Sequence, residues 1–186
     1  MYPLFTVGHS SMPWSDFLKL LQATKIGIIV DVRSRPRSRW QQFSRPALRV
    51  ALNASGISYL WMGDNLGGLS ASGDALDYEQ ASACPGFQQA LEECKELAEH
   101  SRVALMCSEA EPCQCHRFLL LARHLDDDLF PVRHIRRDGA VETQSATEDR
   151  LLALTRQTEA DLLASREQRV GMAYRAQALR LARKAR

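Results

Sequence analysis

Apolar positions along the chain follow two rhythms. The runs Leu4 to Val7, Ile26 to Val32, Ile57 to Met62, Arg102 to Cys107 and Pro131 to Ile135 are short, and Ile26 to Val32 is nearly continuous and rich in β-branched residues. Such runs predict strands, and a continuous one predicts a strand covered on both faces. Between them apolar residues recur near helical spacing. Trp14, Phe17, Leu18, Leu20 and Leu21 follow Pro13, and Pro46 to Ala54 stops at Gly56, a natural left-handed cap. Phe87, Ala90, Leu91, Cys94 and Leu97 mark a helix over Phe87 to Glu99, and another is expected over His116 to Leu125. Two Ala/Leu/Arg-rich helices are expected over Thr147 to Ala164 and Glu167 to Ala185.

Strands that alternate with helices predict an α/β fold: a three-layer, Rossmann-like arrangement of a mainly parallel sheet flanked by helices. The chain reads as a single α/β domain, 1–186, with residues 147–186 as its helical C-terminal extension. In such sheets ligands bind outside the carboxyl ends of the strands. Gly8-His9-Ser10, Asp31-Val32-Arg33 and Cys107-Ser108-Glu109 all stand at such ends. Gly63 to Gly86, with five of the ten glycines, reads as a long functional loop or lid.

Composition changes this picture little. The chain has 186 residues, 45% hydrophobic and 25% charged, which suits a globular domain and excludes a disordered or fibrous one. A net charge of +2 is too small to argue for nucleic acid or a membrane surface. Its distribution is uneven, because arginines cluster in Arg33 to Arg39 and again in the tail from Arg150 to Arg186. Met1 to Val7 lacks the pattern of a signal peptide and no run approaches membrane-spanning length, so a cytoplasmic protein without a membrane partner is expected. Five cysteines without framework spacing then suggest reduced thiols.

The densest chemistry is Cys107 to Arg117, which holds three thiols, an imidazole, two carboxylates and a guanidinium. One reading is nucleophilic: Cys115 near a helix N-terminus and Arg117 would favour thiolate. A second is a zinc or iron site of Cys113, Cys115 and His116, joined by Cys107 or Glu109, although paired C-x2-C spacing is missing. In the third, Cys107 is a small buried residue that ends a strand and Cys113 and Cys115 merely occupy a tight loop, the preferred reading for Cys113, with no cofactor bound. Arg117 and the first amides of its helix would form an anion pocket, or Arg117 would make a surface ion pair. Asp31 needs a partner at the end of a buried strand, and Arg33 either braces it or contacts a ligand. His9 is a candidate acid, base or anion donor, or a satisfied hydrogen bonder. The arginines Arg33 to Arg39 with Trp40 and Phe43 could hold a phosphate backbone and stack a base, or be a solvated loop. The tail arginines read as the wet face of two helices.

Gly8-His9-Ser10, Asp31-Val32-Arg33-Ser34-Arg35-Pro36-Arg37-Ser38, Gly56-Ile57-Ser58-Tyr59, Leu66-Gly67-Gly68, Cys107-Ser108-Glu109, Cys115-His116-Arg117 and His134-Ile135 stand in this order. The set resembles the family named domain of unknown function 488, over roughly residues 4 to 135. The resemblance implies a fold and a shared pocket but no reaction, and Cys113 and the arginine-rich tail are not part of its pattern. The resulting candidates for catalysis are His9, Asp31, Cys107, Glu109, Cys115 and His116. Those for substrate binding are Ser10, Arg33, Arg37, Ser38, Gly67, Gly68 and Arg117. The leading expectation is an enzyme, a hydrolase or transferase, acting on an anionic nucleotide-like or nucleic-acid-linked substrate. A non-catalytic nucleotide or nucleic-acid binding module and a metal-binding protein are the alternatives.

Overall fold

The computed structural model describes residues 1–70, 77–158 and 164–184. Its elements are β1 (Leu4–Gly8), α1 (Trp14–Ala23), β2 (Ile28–Asp31), α2 (Arg45–Ala54), β3 (Ser58–Trp61), α3 (Gly63–Leu66), α4 (Tyr78–Ser82), α5 (Pro85–His100) and β4 (Val103–Cys107). A π-helical segment, Arg117–Ala122, runs into α6 (Arg123–Leu125), followed by β5 (Val132–Ile135), β6 (Val141–Thr143), α7 (Gln144–Thr155) and α8 (Arg166–Lys184). The six strands form one sheet in the order β3-β2-β4-β1-β5-β6, parallel except for β6 against β5. This is the mainly parallel α/β architecture that the alternating pattern predicts.

Strand parity divides the core. Val103, Leu105 and Cys107 of β4 and Val30 and Val32 around β2 face α5 and the π segment. Ala104 and Met106, with Ile29, Phe5 and Val7, face α1 and α2. Because side chains alternate along a strand, Cys107 shares its face with the π segment and not with α1. Register then aligns the strand ends. Gly8 pairs with Cys107 and Asp31 with Met106, so the three segments that leave β1, β2 and β4 emerge side by side.

Several elements depart from the sequence pattern. Residues 117–122 are wound as a π-helix, where an ordinary α-helix was expected. Within Gly63 to Gly86, α3 and α4 are helical and Leu66, Gly67 and Gly68 are buried, so the described part packs as structure rather than as a loose lid; residues 71–76 lie outside the described residues. β6 is too short, at three residues, to announce itself. α7 begins at Gln144 because Thr143 caps it, its side chain accepting from the Ala146 amide, and ends where Arg156 turns left-handed at φ 58°. The remainder of the helix expected to Ala164 includes residues 159–163, outside the described residues. α8 packs through Val170, Ala173 and Tyr174 against Phe118, Leu119 and α7.

Candidate functional site

A cleft of about 440 Å³ opens at the carboxyl ends of β2 and β4. Its chemical floor is Arg33, Cys107, Glu109, Cys115 and His116, with Ser34 and Gly68 beside them. This is the size range of small-molecule sites.

His116 organises the thiols. Its Nε2 lies 3.0 Å from the Val32 carbonyl, which can only accept, so Nε2 carries a proton. Nδ1 is left facing both sulfurs, 3.7 Å from Sγ of Cys107 and 3.7 Å from Sγ of Cys115. The two thiols cannot both ionise at such range. A hydrogen bond from Cys115 lowers Cys107 well below the ordinary thiol range against the cost of burial, and His116 and Arg117 assist. Burial and the neighbouring Cys107 push Cys115 well above it. Burial disfavours the charged His116 ring, yet the charge and hydrogen bond of Cys107 outweigh it and raise His116. These directions favour ionisation at Cys107 over Cys115, the reverse of the order expected from the sequence. Proximity to a helix start is outweighed by burial next to a second sulfur.

Arg33 is held from two sides. Its Nε donates to Asp31 Oδ1 at 2.8 Å and one terminal nitrogen to Oδ2 at 2.6 Å. The other terminal nitrogen donates to His9 Nε2 at 3.1 Å. Tyr59 adds its hydroxyl to Asp31 Oδ2 at 2.7 Å, so the carboxylate at the end of a buried strand is fully engaged. Burial works against the Arg33 cation, but Asp31 outweighs it and raises its pKa. His9 donates from Nδ1 to its neighbour's carbonyl, Ser10 O, at 2.8 Å, and stacks on Phe43 with ring centroids 4.2 Å apart. Burial lowers it to about 4, which favours the neutral ring. Phe43 is fully buried beneath it and is out of reach of a base.

Arg117 is turned inward. It is fully buried, and its two terminal nitrogens donate to the carbonyls of Glu109 and Ala110. It shapes the loop after β4 and does not line the cleft. Ser10, Arg37, Ser38, Gly67, His9 and Asp31 are likewise not among the lining residues. Gly67 backs the site, for a Cβ there would strike Ser34, and Ser38 shares hydrogen bonds with Ser44 and Trp40. Gly68 lies against the imidazole: a Cβ would sit 2.8 Å from His116 Cγ.

Cys113 leaves the cluster because the 3-10 turn Pro112–Gln114 swings it toward α7, where its thiol meets the Thr147 carbonyl at 3.7 Å and Arg150 at 3.6 Å. Burial raises its pKa to about 11. A soft metal ion would thus find Cys107, Cys115 and His116, whose donor atoms lie within 4.8 Å of one another, and not the Cys113 set. Glu111 is likewise bound elsewhere, in ion pairs with Arg136 and Arg150 that tie the loop to β5 and α7.

Sequence reasoning missed Ser34, Leu69, Tyr78, Gln114 and the α8 residues Ala178, Leu181 and Ala182 as cleft residues. None carries a local chemical signature.

Fold and site together define an α/β protein with a cysteine–histidine cleft at the strand ends of a mainly parallel sheet. The family model "Domain of unknown function DUF488" matches residues 13–124, and the chain belongs to that family. The match contains Asp31, Arg33, Gly68, Cys107, Cys115, His116 and Arg117; Gly8-His9-Ser10 and α8 lie outside it. No curated protein and no solved structure matches the chain. Among the described residues, no helix is long and apolar enough to cross a membrane.

Proposed function

We propose that the chain is a thiol-dependent enzyme, a hydrolase or transferase, acting on a small anionic substrate such as a nucleotide-like molecule. The observation that supports it most is the placement of His116 Nδ1 at 3.7 Å from both Cys107 and Cys115, with Nε2 anchored on the Val32 carbonyl. An anchored imidazole of fixed tautomer takes the Cys107 proton and returns it to the leaving group, while the thiolate forms the covalent intermediate. Arg33 orients the anion. Three of its five N–H groups are held by Asp31 and His9, and the residue is among those that line the cleft.

One observation favours a second reading. Cys107, Cys115 and His116 form a compact donor set, and the carbonyl clamp on Nε2 resembles the outer-sphere support of metal-bound histidines. Zinc or iron held by Cys107, Cys115 and His116 would supply Lewis-acid chemistry at the cleft.

Iodoacetamide mapping by mass spectrometry, with elemental analysis of the purified protein, tests both. The thiol reading expects Cys107 to label first in the native, metal-free protein near neutral pH, and to label much more slowly in His116→Gln. Labelling that appears only after chelation, with one metal per chain, would establish the second reading. A Cys107 that labels only after denaturation would end the first.

A further inference from the structure

We infer that α8 converts the cleft into a site for an amphipathic anion, whose charged head meets Arg33 and whose apolar or aromatic part lies on Ala178, Leu181 and Ala182. This rests on the cleft being the anionic substrate site proposed above, and adds the chemical class of the rest of the ligand.

The helix is an integral wall. Tyr174 packs on Phe118 with ring centroids 5.2 Å apart, and its hydroxyl accepts from Gln144 Nε2 at 2.7 Å. Gln177 donates to the Cys113 carbonyl at 2.8 Å, in the segment that leads to Cys115. With these contacts set, positions 178, 181 and 182 share one helical face, which borders the cleft.

That face is unlike the rest of the helix. α8 is rich in arginine, but Arg175 pairs with Glu79 at 3.0 Å, and Arg180 and Arg183 border a different groove. What α8 presents to the cleft is two methyl groups and an isobutyl group. Arg33, 4% exposed and bonded to Asp31 and His9, lines the same cleft. A bare anion would satisfy the cation and leave the apolar wall in water. A ligand with a ring covers both, and the two alanines leave room for it. Burying about 60 Å² of apolar ring surface on this wall should tighten binding roughly tenfold.

Calorimetric titration of the full chain with inorganic phosphate and with phenyl phosphate tests this. Phenyl phosphate should bind about tenfold more tightly. Ala182→Trp, and separately Ala178→Trp, should remove that advantage and leave phosphate affinity unchanged; Leu181→Asn, which adds no bulk, should reduce it. Circular dichroism and melting curves identify any variant that has lost its fold, and the remaining ones decide. Equal affinity for the two ligands, or an advantage that survives in every folded variant, overturns the role of α8. If neither ligand binds, or if Arg33→Gln binds both as tightly as the parent, the anionic-cleft reading itself fails and this inference with it.

Discussion

His9 Nε2 accepts a hydrogen bond from the Arg33 guanidinium at 3.1 Å, so a histidine at a strand end serves as the neutral partner of a buried cation. That relationship has a pH consequence. Burial holds His9 at about 4, and it does the same to His134, which hydrogen-bonds Thr6 and Gln144 at 2.8 Å each. The folded protein then binds fewer protons than the unfolded chain between about pH 4 and pH 6.5. Stability from these groups is complete above the unfolded value and declines as pH falls toward 4, by up to about 3 kcal/mol for each. His116, whose pKa is raised, acts in the opposite sense: its contribution is present at low pH and is lost as pH rises through its folded value. Urea denaturation from neutral to mildly acidic pH should show the decline, and His134→Gln should remove about half of it, leaving the His9 part. An unchanged slope in that variant would refute the assignment to His134.

Arg117→Ala should cost stability before it costs binding. Two buried carbonyls lose their donors and the residue leaves a cavity, a loss of about 3 kcal/mol or more. Chemical denaturation of the variant measures it. A variant of parental stability that no longer binds phosphate would return Arg117 to the cleft.

Gly68→Ala separates site geometry from folding. The added methyl would sit 2.8 Å from His116 Cγ, so the ring or the loop must move. Alkylation of Cys107 should slow severalfold while the fold persists. Gly8→Ala should be far more damaging, because its Cβ would collide with the Glu109 carbonyl and Arg117. Comparable melting temperatures for the two variants would contradict this ranking.

Tyr59→Phe removes the hydroxyl that donates to Asp31 at 2.7 Å, and should cost about 1.5–3 kcal/mol, the usual range for a hydrogen bond to a charged group. Asp31 keeps its Arg33 contacts, so anion affinity should change little. Denaturant midpoints and phosphate titration of the same sample check both statements.

The strands and the larger helices were legible in the sequence because apolar periodicity is a local signal. So was the gathering of chemistry at the ends of β1, β2 and β4, since an α/β pattern brings those ends to one side of the sheet. The π-winding of residues 117–122 was not legible, because helical spacing does not distinguish close winding variants over so few residues. β6 escaped because three residues of a short antiparallel return carry too little pattern.

The sequence by itself determined the α/β class, the strand-end location of Cys107, Arg33 and Glu109, and the Asp31–Arg33 pairing, all of which depend on neighbours within a few residues. Tertiary structure alone set the Val32 carbonyl on one side of His116 and the sulfurs of Cys107 and Cys115 on the other. It also turned Arg117 inward onto Glu109 and Ala110 and brought α8 over the cleft. The physical reason is common to these cases. Local pattern reports which face of an element is apolar, whereas a side chain's partners, and hence its charge and role, are set by elements far away along the chain.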